Sequence, residues 1–266
     1  MSYAEVNGLN MYYEEHGDAA VTAERPALVL LHGGLGGGDM FAPVVPALAA
    51  NRRVITVDLQ AHSHTADVDR PIRLETSADD VAALIRQLGV GPADVVGYSF
   101  GGGVALRCAI QHPEAVRKLV VVSFPFRRDG FYEGVLKQQE QLSPEAAPFM
   151  KETPMWELYE RTAPRPEDFG TLLGKMGDLL RIPFDYSEEI RELKVPAELV
   201  FADADTYSMR HISDFWTLLG GGRQDAGWDG AGRPGAHRLA ILPDTTHYTI
   251  FVSPALVRVV DEFLDA

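Results

Sequence analysis

Apolar positions along the chain fall into two patterns. In one they form short unbroken blocks; in the other they recur every three or four residues. The blocks Ala27–Leu31, Arg53–Val57, Asp94–Tyr98, Lys118–Val122, Glu198–Phe201 and Arg238–Leu242 predict strands, and continuous apolarity suits strands covered on both faces. Residues 3–15 read as two further strands around a turn at Asn7 and Gly8. Helical spacing links Phe41, Val44, Val45 and Leu48, and then Val81, Leu84, Ile85 and Leu88. It returns over residues 100–112, at Ile212, Phe215, Trp216 and Leu219, and at Leu256, Val259, Val260 and Phe263. Thr76 or Ser77 offers a cap for the second of these helices and Gly89 a stop, while Ser253 and Pro254 suit the opening of the last. Strands alternating with amphipathic helices predict an α/β fold with a mostly parallel central sheet flanked by helices.

Residues 124–190 break the alternation. Prolines 144, 148, 154, 164 and 166 punctuate short helical pieces carrying Phe149, Met150, Met155, Trp156, Tyr159, Phe169 and Met176. This stretch reads as a helical cap inserted into a core made of residues 1–123 and 191–266. A second irregular stretch, Gly220–Gly235, is glycine-rich and reads as an excursion before the last strand. No internal repeat is visible.

Composition narrows the class. The 266 residues correspond to one or two domains at about 150 each, and 46% hydrophobic with 23% charged is ordinary for a globular protein. Charge sums to 24 − 38 = −14, which disfavours nucleic acid or an anionic membrane as partner. One cysteine, Cys108, excludes an internal disulfide. The polar start MSYAEVNGLN does not resemble a signal peptide, and apolar runs are strand-sized. A soluble cytoplasmic protein is the expectation.

Candidate chemistry centres on Gly97–Gly101, GYSFG, an instance of G-x-S-x-G between a predicted strand and a predicted helix. A sharp turn there exposes Ser99 at the carboxyl end of a strand, where open α/β sheets bind ligands. Serine needs a base. Of eight histidines, His247 is best placed, between the last strand and last helix. Its orienting acid is Asp205, just past a strand end, with Asp203 as competitor. The loop LHGGLG after the first buried strand supplies main-chain donors for an oxyanion: Phe100 N–H and Gly34 N–H, with Leu35 as the substitute for Gly34. Leu35, Tyr98, Trp156 and Tyr248 are expected to contact substrate. The glycine loop lacks the G-K-[ST] continuation of a phosphate loop.

These motifs resemble the α/β-hydrolase superfamily, in its serine-nucleophile, esterase-like branch with a helical cap between the sixth and seventh strands. The resemblance spans nearly the whole chain: HGG after strand three, Asp58 after strand four, GYSFGG at the turn, then Asp205 and His247 in the family's order. It implies a serine hydrolase cleaving small carboxylic esters through an acyl-enzyme, with no metal and no organic cofactor. The same triad also serves lactonases and carbon–carbon bond hydrolases, and a hydrolase-fold ligand receptor is a reading of another class. Among the arginines available to bind a substrate carboxylate are Arg127, Arg128, Arg161 and Arg165. The chain departs from the D-x-x-G-x-G-x-S pattern of many relatives: Ala61 and Ser63 stand where glycines are expected. If those positions require positive φ, each side chain costs about 1 kcal/mol.

Other polar residues have plainer readings. His62, His64 and Asp67 hint at a metal site but lack the rest of a ligand set, so loop structure or pocket rim is expected. His32 is read as support for the glycine loop, His112 as a helix-end residue, and Cys108 as a small core residue.

Overall fold

The computed structural model describes residues 2–17, 25–233 and 235–266. Its strands are β1 (Ser2–Val6), β2 (Leu9–His16), β3 (Leu28–Leu31), β4 (Val54–Val57), β5 (Ala93–Tyr98), β6 (Val116–Val122), β7 (Ala197–Ala204) and β8 (Arg238–Thr246). They form one sheet in the order β1-β2-β4-β3-β5-β6-β7-β8. β1 pairs antiparallel with β2 and β2 with β4; the remaining pairs are parallel. The fold is therefore α/β, of the α/β-hydrolase type, as the alternation of elements predicts.

Both faces of the central strands are buried because each receives alternate side chains. In β3, Val29 and Leu31 join one core with α2 (Leu74–Gln87) and α3 (Phe100–Gln111). Leu28 and Leu30 join the opposite core with α10 (Pro254–Leu264) and the segment Phe41–Leu48. That segment is not the single helix its spacing suggests. A 3₁₀ turn (Gly38–Phe41) and a one-turn α1 (Val45–Leu48) replace it, since Pro43 and Pro46 lack the N–H groups a continuous helix needs. The apolar periodicity still buries Phe41, Val44, Val45 and Leu48.

Two other boundaries move. α2 begins at Leu74 after Arg73, so Ser77 lies inside the helix and Thr76 Oγ1 donates to Arg73 O at 3.3 Å instead of capping. β7 and β8 run past their apolar blocks because Ala204 pairs with Thr246 after an irregularity in register. The last helix opens as expected, with Ser253 Oγ accepting from Ala255 N and Pro254 in the first turn. Of the glycine-rich excursion, residue 234 lies outside the described residues.

Between β6 and β7 lie α4 (Glu133–Glu140), α5 (Ala147–Met150), α6 (Pro154–Thr162), α7 (Phe169–Arg181) and α8 (Ser187–Arg191). Pro148 and Pro154 occupy first turns, where a missing N–H costs nothing. Tyr159, Phe169, Leu172, Leu173 and Met176 are buried within this helical segment. It is tied to the loop after β4 by Lys175 Nζ, which reaches Asp67 Oδ2 at 2.6 Å and the carbonyls of Val68 and Arg70 at 2.8 Å. The hydroxyls of Ser63 and Thr162 meet at 2.9 Å. α9 (Met209–Leu218) follows β7.

Candidate active site

Ser99 stands alone between β5 and α3 with φ 52° and ψ −119°, a backbone conformation that costs a non-glycine residue about 1–3 kcal/mol. The turn is held from both sides: Ser99 N–H donates to Val122 O at 2.9 Å and Gly101 N–H to His32 O at 3.0 Å. Its sharpness explains the flanking glycines. A Cβ on Gly97 would lie 2.0 Å from Gly101 O, and one on Gly101 would lie 2.3 Å from Leu31 O.

His247 follows β8, and Tyr98 OH holds its main chain by donating to His247 O at 2.7 Å. The imidazole spans two predicted partners, with Nε2 3.1 Å from Ser99 Oγ and Nδ1 3.0 Å from Asp205 Oδ1. Asp205 thus meets the histidine. Asp203 instead accepts from Asp244 N and Thr245 N at 3.0 and 3.1 Å, shaping the strand end that leads to His247.

Asp205 is itself surrounded by donors. Ala202 N–H and Thr206 N–H reach it at 3.0 and 2.8 Å, and Ser123 Oγ reaches Oδ2 at 2.5 Å. Burial pushes its carboxyl up. The hydrogen bonds from His247, Ser123 and Ala202 outweigh that and hold it below the usual carboxylate range. Ser123 is fully buried with φ 50°, and the sequence reading does not include it. The available signal was a polar residue ending the apolar run of β6, which the sheet order places between β5 and β7.

α3 starts at Phe100, so the Phe100 N–H has no partner within the helix. Leu35 has φ 61°. Among the described residues no protein acceptor takes the N–H of Gly34 or Leu35. His32 braces this loop: Nδ1–H donates to Gly33 O at 2.8 Å while Nε2 accepts from Leu59 N at 3.0 Å. Those partners require the neutral ring, and burial lowers its basicity in keeping.

Above Ser99 lies a cavity of about 1170 Å³, between the sheet's carboxyl ends and the helical segment. Leu35, Tyr98 and Tyr248 line it, with Leu142, Met176 and Leu179 from the segment between β6 and β7. Trp156, expected in this wall, is absent from it. Its ring packs edge-on against Phe169 at 5.1 Å. On α6, Met155 and Leu158 face the cavity, so Trp156 and Tyr159 turn to the segment's own core, as a 3.6-residue period dictates. Of the arginines offered for a substrate carboxylate, only Arg161 reaches the cavity, paired with Asp39 at 3.3 Å; Arg73 and Arg107 also line it.

The loop after β4 follows the plainer readings. His62 is fully buried, with Nδ1 2.8 Å from Gln60 O, and burial lowers its pKa to about 3. His64 Nδ1 pairs with Asp58 Oδ2 at 2.9 Å, and that hydrogen bond raises its basicity. No group of three His, Cys, Asp or Glu residues converges as a metal site among the described residues. Ala61 and Ser63 have φ 64° and 47°, so both occupy the left-handed region that favours glycine. Cys108 is buried, its thiol pushed up to about 12, and His112 Nε2 lies 2.7 Å from Asp79 Oδ1 at the end of α3.

Comparison with known proteins places the fold and the family. The family described as alpha/beta hydrolase fold matches residues 26–147. The chain is 31% identical over 267 residues to "Putative carbamate hydrolase RutD" of Azorhizobium caulinodans, covering 92% of this chain and 94% of that one. A 2-hydroxymuconate semialdehyde hydrolase of Pseudomonas sp. CF600 is 38% identical over 107 residues, 37% of this chain and 38% of that one. The enol-lactonase from Burkholderia xenovorans LB400 superposes with a TM-score of 0.72 at 22% identity, over 99% of this chain and 100% of that one. With a relative aligned along almost its whole length and the fold in common, the chain belongs to the alpha/beta hydrolase family.

Proposed function

We propose that the protein is a serine hydrolase that cleaves carboxylic esters through an acyl-enzyme. The observation that carries this reading is the hydrogen-bonded line from Ser99 Oγ to His247 Nε2 and from Nδ1 to Asp205, set at the floor of the cavity. In the forward step His247 takes the Ser99 proton as Oγ attacks the carbonyl carbon. The carbonyl oxygen, becoming negative, accepts from Phe100 N–H and from Gly34 N–H, with Leu35 N–H as the alternative second donor. His247 then protonates the departing alcohol. A water deprotonated by the same ring attacks the acyl-enzyme, and the acid leaves with Ser99 restored. Asp205 keeps the imidazole in the tautomer with hydrogen on Nδ1 and stabilises its charged form.

The inserted helices act as a cap over this floor, and about 1170 Å³ accommodates an acyl chain well beyond acetyl. Carbamate cleavage is a second reading with the same triad, favoured by the nearly full-length similarity to the protein named for that activity. Turnover of p-nitrophenyl acetate, butyrate and octanoate, and of a p-nitrophenyl carbamate, by the wild type and Ser99→Ala tests both. Repeated turnover that falls at least about 10³-fold in Ser99→Ala supports the nucleophile. Equal rates in the two proteins would overturn it, and single-turnover acylation would favour a ligand receptor.

A further inference from the structure

The cavity wall draws on both cores of the sheet. Leu74, Phe100 and Phe124 belong to the core that holds α2 and α3, and Phe184 packs against it. Tyr98 belongs to the core on the other face, with Met40 and Phe251 packed against that one. All six line the cavity, and Ser99 stands between the two sides because its neighbours Tyr98 and Phe100 join opposite cores. His247 is held on the Tyr98 side: Tyr98 OH donates to its carbonyl at 2.7 Å, and the Phe251 ring lies 4.8 Å from the Tyr98 ring. A leaving alcohol takes its proton from His247 Nε2 and must lie within hydrogen-bond reach of it. The acyl chain is thereby left the Phe100 side.

That side forms a long apolar arm. Phe100 and Arg107 lie seven residues apart on one face of α3 and both line the cavity, a run of two helical turns, about 11 Å. An octanoyl chain spans that length. Phe124 and Leu74 cover Gly103, where a Cβ would fall 2.6 and 3.0 Å from their side chains. Phe184 and Tyr186 continue the wall from Phe124 as a stacked series, with centroids 5.6 and 5.1 Å apart. Charges at the far end already have partners. Arg107 donates to Gln111 Oε1 at 2.9 and 2.7 Å and is flanked by Glu75 and Glu189, while Asp185 lies beside Arg127 and Arg191. A charged tail would give up water for apolar walls and for partners already taken. A hydrocarbon tail gains with every methylene buried.

We propose that this arm takes the acyl group, not the alcohol, and that the acyl group is an unbranched, uncharged chain of about octanoyl length. The proposal rests on the serine-hydrolase reading of the same cavity. The test compares p-nitrophenyl butyrate, hexanoate, octanoate and dodecanoate with the acetates of butanol, hexanol and octanol. From butyrate to octanoate kcat/KM is expected to rise about 10-fold or more and to fall again at dodecanoate. The gain from butyl to octyl acetate should be several-fold smaller. An octanoyl ester ending in a carboxylate should be at least about 10-fold poorer than octanoate.

Two variants narrow the arm from different walls. Gly103→Ala displaces Phe124 and Leu74, and Phe184→Trp adds bulk at a half-buried position of the segment between β6 and β7. Each should lower the octanoate-to-butyrate ratio several-fold; measured within one protein, the ratio is insensitive to how much of it folds. Unchanged ratios, or an equal or larger gain along the alcohol series, would overturn the arm and leave the hydrolase standing. Failure of every ester would count against the hydrolase instead. Calorimetric binding of the intact esters to the wild type then decides the arm: tighter binding of p-nitrophenyl octanoate than of octyl acetate, lost in Phe184→Trp, supports it, and equal or weaker binding overturns it.

Discussion

Ser123 Oγ donates to Asp205 Oδ2 across 2.5 Å, on the side of the carboxylate away from His247. One oxygen is thereby anchored to the end of β6 while the other faces the imidazole. Ser123 touches no substrate position; it acts through Asp205 as a positioning residue.

Ser123→Ala should lower kcat by about 10-fold with little change in KM, since a buried charge-assisted hydrogen bond contributes about 1.5–3 kcal/mol. Losing the donor raises the Asp205 carboxyl, whose depressed value depends partly on Ser123. The acid limb of the kcat profile should therefore move to higher pH. A lowered rate with an unmoved limb would reduce Ser123 to packing.

Stability should fall on acidification. His62 is buried and neutral with a pKa of about 3, against about 6.5 when unfolded. Between those values the unfolded chain binds the extra proton, so stability is present above pH 6.5 and is lost as pH drops, by up to about 1.4 kcal/mol per unit from this residue. Burial lowers His211 to about 4, which adds in the same direction. Calorimetric Tm values at pH 7, 6 and 5 should decline, and His62→Phe, which keeps a ring against Phe100, should flatten the decline. An identical slope in the variant would rule His62 out as a source.

Ala61→Gly should stabilise the protein. The left-handed conformation costs alanine about 1–2 kcal/mol, and the added freedom of glycine in the unfolded chain returns about half of that. A Tm rise of about 2 °C is expected; a fall would mean that the buried methyl of Ala61 contributes more than the strain removes.

Gly101→Ala should do the opposite. The new Cβ meets main-chain atoms of Leu31 and His32 at 2.3–2.5 Å, which cannot yield as a side chain would. Destabilisation of about 3 kcal/mol or more is expected in urea unfolding. A variant within 1 kcal/mol of wild type would show the turn to be softer than its contacts imply.

Local pattern carried a large part of this protein. Alternating apolar blocks and helical periodicities mark the strands and most of the helices, because burial on two faces or on one stripe dictates which positions are apolar. G-x-S-x-G between a strand and a helix marked Ser99, and positions just past strand ends marked His247 and the pair Asp203 and Asp205. The choice between those two aspartates belonged to the tertiary structure. It turns on which carboxylate faces His247 across the β7–β8 gap, and residues two apart near an irregular strand end can swap roles without changing any local pattern. Ser123 acquired its partner only because β6 lies between β5 and β7 in the sheet. Trp156 shows the complementary failure: its aromatic character gave no phase for α6, and the packing of that helix turned Met155 and Leu158 to the cavity instead. The ion pairs of Arg107 with Glu75 and Glu189 likewise join residues from three separate helices, a proximity no local spacing encodes. Periodicity reports which residues are buried; which of them meet is decided by how the elements pack.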